Sequence, residues 1–60
     1  MKLRRRIERY LKRTRTSAAR FGREAVNDPN LVFELRSGRR LGREISEKIE
    51  AWLDRADRRR

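Results

Sequence analysis

The sequence predicts an all-α fold, a small four-helix bundle, on three observations. Apolar residues recur at helical spacing in four separate stretches. Those stretches are divided by residues that stop and start helices, at Thr14 to Ser17, Asn27-Asp28-Pro29 and Ser37-Gly38. The chain has 60 residues and no cysteine, near the lower limit at which an unstapled core forms, so one small domain is expected and an enzyme cleft is not. The expected organisation is a basic amphipathic first helix over 1–15, a core over 16–57 and a basic tail over 58–60. The core is read as two short helices joined by a tight turn, followed by a C-terminal packing helix.

The first helix follows from Leu3, Ile7 and Leu11, with Tyr10 beside them, on one helical stripe. Around that stripe stand Arg4, Arg5, Arg6, Arg9, Lys12, Arg13 and Arg15, and the net charge through Arg15 is +7. So much like charge on one helix is unfavourable unless something negative relieves it. Three readings of this face stay open: a solvated cationic surface, phosphate contact, or adsorption to an anionic membrane.

Thr14-Arg15-Thr16-Ser17 then breaks the pattern, and Thr16 or Ser17 is placed to cap a second helix. That helix runs to Val26, with Ala18, Phe21, Ala25 and Val26 on one face and Arg20, Arg23 and Glu24 outside it. Ala18 and Gly22 are small enough to admit a closely crossing helix. Asn27 interrupts the run. Asp28 precedes proline, which biases it away from helical conformation and toward capping, and Pro29 suits a first helical position because its missing N–H costs nothing there.

The third helix is therefore expected over about residues 29–37, closed by the glycine of Ser37-Gly38. Leu31, Val32 and Leu35 form its buried side and leave Asn30, Phe33, Glu34 and Ser37 pointing elsewhere. After the loop Arg39-Arg40-Leu41-Gly42, a fourth helix starts near Arg43, with Ile45, Ile49, Trp52, Leu53 and Ala56 keeping the strongest amphipathic spacing in the chain. Trp52 is in phase with Ile45 and Ile49, which makes it a core anchor rather than a stacking platform.

Charge narrows the functional classes. Nineteen Lys and Arg against nine Asp and Glu give +10, and residues 1–40 carry +9 of it. Sixteen of the nineteen cations are arginine, whose planar guanidinium can donate two hydrogen bonds to one phosphate. Such an excess favours polyanionic partners. Neither histidine nor cysteine is present, which excludes disulfides, thiolate chemistry and the usual zinc sites; no catalytic residue, metal or cofactor is expected. No apolar run exceeds three residues, as at Leu31–Phe33, so neither a membrane span nor a signal-peptide core is expected and the protein is placed in the cytoplasm, at the nucleoid.

Phe21 to Gly38 reads as a helix-turn-helix and resembles that of the lambda-repressor-like DNA-binding domains, the phage repressor and Cro-like family, over roughly residues 16–53. Phe21-Gly22 matches the apolar and small pair of the family's scanning helix. Val32 and Leu35 match the apolar pair of its recognition helix, and Gly38-Arg39-Arg40 matches its ending. Arg36 stands where the family has an acidic residue, and Asn27 stands in a turn where the family has glycine. Either Asn27 takes the left-handed conformation itself, or the second helix runs one residue longer.

The resemblance implies a sequence-specific bacterial or phage transcription regulator whose third helix enters the major groove of double-stranded DNA. Asn30, Phe33 and Glu34 are then the base contacts, suited to adenine, a thymine methyl and a cytosine amino group. Arg20, Arg23, Arg36, Arg39 and Arg40, with Arg5, Arg9 and Arg13 of the first helix, are the phosphate contacts. Simpler roles stand beside these: first-turn polarity for Asn30, an arginine salt bridge for Glu34, and core filling or a partner contact for Phe33. A module of this size covers a half-site, so a homodimer or partner protein is expected. The alternatives are a non-specific architectural DNA- or RNA-binding protein and a small subunit of a nucleoprotein assembly.

Overall fold

The computed structural model describes residues 2–58, and they form four helices and no strand: α1 (Lys2–Thr14), α2 (Ala18–Val26), α3 (Leu31–Arg36) and α4 (Arg43–Arg58). Arg59 and Arg60 of the basic tail lie outside the described residues.

Each boundary has a local cause. At the end of α1 the chain turns through Arg15, whose φ of 57° is left-handed, and the Thr16 N–H donates back to the Leu11 carbonyl at 3.1 Å. Ser17 is the cap of α2, its Oγ accepting from the Arg20 N–H at 3.1 Å. Asn27 ends α2 in the left-handed conformation, with φ 58°, so the first of the two alternatives for this residue is the one adopted. Its N–H donates to the Arg23 carbonyl at 3.0 Å, and the Asp28 N–H reaches the Gly22 carbonyl at 3.0 Å.

The third helix differs from expectation at its start. It begins at Leu31 rather than Pro29, because the Leu31 N–H bonds the Asp28 carbonyl three residues back, at 3.1 Å, and closes a β-turn instead of a helical turn. Asp28 therefore does not cap the helix: its Oδ1 accepts from the Asn30 N–H at 3.0 Å, an Asx turn one step ahead of it, and Asn30 takes the cap position without a side-chain cap bond. The segment expected over 29–37 is thus a six-residue helix entered through a turn. Its end is a Schellman closure at Gly38, φ 102°, with the Gly38 N–H on the Leu35 carbonyl and the Arg39 N–H on the Glu34 carbonyl, both at 3.0 Å.

The four helices share one core. Leu3, Ile7 and Leu11 of α1, Phe21 of α2, Leu31, Val32 and Leu35 of α3, and Ile49 and Leu53 of α4 are all buried. Tyr10, Phe21 and Trp52 pack as a triangle with ring centroids 5.2 to 5.8 Å apart, so Trp52 anchors the core from its rim. Gly22 is the point of closest approach between α2 and the turn. A Cβ there would run into the Asp28 carbonyl and lie 3.3 Å from Leu31 Cβ.

Helix α1 is docked, with three residues in the core and ion pairs on two flanks. On one flank Arg6 Nη2 lies 2.5 Å from Asp54 and 3.3 Å from Asp57, and Arg13 lies 2.7 Å from Asp57, tying α1 to α4. On the other, Arg36 of α3 pairs with Glu8. The Cα radius of gyration, 10.5 Å, is what a fully packed chain of this length gives, about 10 Å, so α1 does not stand away from the rest.

Candidate nucleic-acid interface

The candidate surface is the outward side of α3. Leu31, Val32 and Leu35 face the core, and a helix that spends those positions on burial must turn the others to solvent. Asn30, Phe33, Glu34 and Ser37 accordingly line one shallow depression with Gly38 and Arg39. Phe33 is 49% exposed and is the large apolar side chain left outside the core among the described residues, which removes core filling from its possible roles.

Two ion pairs already occupy charged groups on this surface. Glu34 accepts from Arg39 Nη1, a contact set up by the Schellman closure that brings the two residues together. Arg36 makes a bidentate pair with Glu8, its Nε–H and Nη2–H donating to the two carboxylate oxygens at 2.8 and 2.9 Å. These bonds hold the Glu8 carboxyl below the usual carboxylate range, more than its partial burial raises it, and hold the Arg36 guanidinium above its ordinary value. Arg36 Cζ also stands 5.9 Å from the Phe33 ring centroid. Asn30 sits at the helix entrance with no side-chain cap bond of its own and is exposed.

The remaining arginines divide by location. Arg40 is exposed beside Gly38 and Arg39 at the C-terminal end of α3. Arg20 is bonded to Glu24 along α2 at 3.0 Å, whereas Arg23 is exposed and makes no ion pair among the described residues. Arg13 turns to Asp57 on the α4 flank, where it and Arg6 hold the Asp57 carboxyl low, and Arg9 lines the same flank. Arg5 is exposed on the side of α1 opposite Leu3 and Ile7. The structure therefore gathers Asn30, Phe33, Glu34, Arg36, Arg39 and Arg40 around α3, and the depressions that α3 lines do not include Arg5, Arg9, Arg13, Arg20 or Arg23.

Two further cations border α3 that sequence reasoning passed over, Arg4 and Lys12. Arg4 shares a depression with Arg39 and Arg40, and Lys12 shares one with Phe33, Arg36 and Glu8. The signal was their spacing: Arg4, Glu8 and Lys12 recur every four residues and so form one stripe of α1, the stripe that Glu8 turns toward α3. Nothing in the local sequence names α3 as the neighbour.

Among the described residues no group of acidic side chains is gathered to hold a metal ion, and no helix is long and apolar enough to cross a membrane. Comparison with known proteins returns no matching family model, no matching curated protein and no matching solved structure.

Proposed function

We infer that the chain is a sequence-specific DNA-binding protein of the lambda-repressor-like kind, a bacterial or phage transcription regulator in which α2 and α3 act as a helix-turn-helix. The observation that carries this reading is the outward face of α3, where an exposed aromatic stands between an amide and a carboxylate and is bordered by cations from two helices. An α3 laid in a major groove brings Asn30, Phe33 and Glu34 to base edges, with Phe33 against a thymine methyl. Arg36, Arg39 and Arg40, joined by Arg4 and Lys12, meet the phosphates on either side and fix the register. Arg5, Arg9, Arg13, Arg20 and Arg23 supply outer phosphate contacts where the duplex or a second copy of the protein extends past α3.

A non-specific architectural or RNA-binding role is the second reading, favoured by the pairing of Glu34 with Arg39, which occupies one base reader and one phosphate contact together. One experiment separates the two. A random duplex pool is titrated by fluorescence anisotropy at about 50 and about 200 mM salt, the range over which phosphate contacts lose affinity steeply, and the bound fraction is sequenced. A recovered motif that disappears on Asn30→Ala or Phe33→Ala supports base reading. Tight, salt-sensitive binding with no motif supports the second reading and removes the first.

A further inference from the structure

Two carboxylates beside α3, those of Glu8 and Glu34, are each bonded to an arginine that would otherwise stand ready for phosphate. Glu8 holds Arg36 by two hydrogen bonds, and Glu34 holds Arg39. All four side chains are at the surface, between 36% and 51% exposed, where an ion pair adds little to stability. A chain with a +10 excess has no shortage of cations for phosphate, yet two of those closest to the base-reading face are neutralised. We propose that Glu8 and Glu34 are specificity-determining residues: they withhold Arg36 and Arg39 from non-specific phosphate contact, and Glu34 gives up Arg39 when the correct base engages α3.

The physical basis is the difference between the two kinds of complex. Non-specific binding is almost entirely phosphate neutralisation, so each arginine taken out of play weakens it directly. Glu34 also lies on the reading face itself, where its charge repels any phosphate that approaches before the bases do. In a specific complex a cytosine amino group donates to Glu34 and replaces Arg39 as its partner. Arg39 then turns to the backbone. Discrimination comes from the penalty on wrong sites, not from a stronger hold on the right one. This rests on the reading of α3 as the base-reading helix.

The test uses the full chain and a random duplex pool, with E8Q, E34Q and E8Q/E34Q compared against the wild type from about 50 to about 200 mM salt. Glutamine keeps the shape and removes the charge. Each freed arginine is expected to steepen the slope of log K against log salt by about 0.9, which is roughly a 3- to 4-fold extra loss of affinity over that range. The ratio of affinities for selected over random duplex is expected to fall in parallel. E47Q supplies the control for net charge, since Glu47 is exposed on α4 and makes no ion pair among the described residues. An unchanged slope in the glutamine variants, or an equal steepening in E47Q, overturns the proposal while leaving base reading intact. Wild-type protein that binds no duplex overturns both.

Discussion

Helix α4 is sixteen residues long and is secured by what it buries, with Ile49 and Leu53 in the core and Trp52 at its rim. Helix α3 is six residues long, far below the length at which a helix persists by itself, and its three core residues, Leu31, Val32 and Leu35, are backed by supports at both ends. An Asx turn at Asp28 leads into one end, the Schellman closure at Gly38 seals the other, and Gly22 lets α2 come close enough to cover it. On the outward face of α3 the Asn30 side chain makes no cap bond and Phe33 stands half exposed outside the core, so the supports of this helix rest on neither of them, while Ser37 Oγ donates to the Phe33 carbonyl at 3.1 Å.

The largest expected effect breaks the α4 side of this comparison. Ile49→Ala removes a fully buried side chain and is expected to cost about 2–5 kcal/mol. A chain of this size has on the order of 3–9 kcal/mol in all, so chemical denaturation should show most or all of the cooperative transition lost. Gly22→Ala tests the α3 side. Its new methyl meets the Asp28 backbone, which cannot move without breaking the turn, and a cost of about 1–3 kcal/mol is expected. If Gly22→Ala leaves the denaturation midpoint unchanged, close approach is not what holds α3 in place.

How far the sequence could be read follows the same division. Helix α4 was legible because sixteen residues give the apolar period several repeats to declare itself, and the start of α2 and the end of α3 were legible because Ser17 and Gly38 act on neighbours within a few residues. The start of α3 was not. Pro29 fits a first helical position and the second position of a β-turn equally well, since both need only its fixed φ and neither needs its N–H. On the candidate site, the spacing of Leu31, Val32 and Leu35 was enough to say which α3 residues face outward. The partners of those residues depend on how helices cross. Glu8 and Arg36 are separated by 28 residues, and Arg13 and Asp57 by 44, so no local pattern links them. Arg4 and Lys12 were overlooked for that reason.

Phe33→Ala sharpens the comparison directly, because it is predicted to separate stability from binding. The side chain is half exposed and lies outside the core, so its loss is expected to change folding free energy by no more than about 0.5 kcal/mol. Binding to a selected duplex is expected to weaken by about 1–3 kcal/mol, the cost of misreading one base pair. Thermal melts and anisotropy on the same preparation measure both. A large loss of stability with little loss of binding would make Phe33 a structural residue and return the outward face of α3 to the same class as that of α4.

The smallest expected effect concerns pH, and it compares the two flanks of α1. Arg36 holds the Glu8 carboxyl low, and Arg13 with Arg6 holds that of Asp57 low. A carboxyl lowered in the folded state binds fewer protons there than in the unfolded chain, so stability rises with pH across its titration. The contribution is fully present above the unfolded values, about 4.3 for Glu and 3.9 for Asp, and is lost as pH falls through the folded ones. With no histidine in the chain, the thermal midpoint should be nearly flat from about pH 5.5 to 7.5 and fall only below about pH 4.5. Glu8→Gln and Asp57→Asn should each shallow that acid limb, one by uncoupling α1 from α3 and the other by uncoupling it from α4. Glu8 receives two aligned hydrogen bonds from one planar group, at 2.8 and 2.9 Å, whereas Asp57 is shared between two arginines, one of them at 3.3 Å. The Glu8 variant should therefore lose more of the limb, and the reverse order would mean that α1 is fastened to the bundle through α4 rather than through the helix proposed to read DNA.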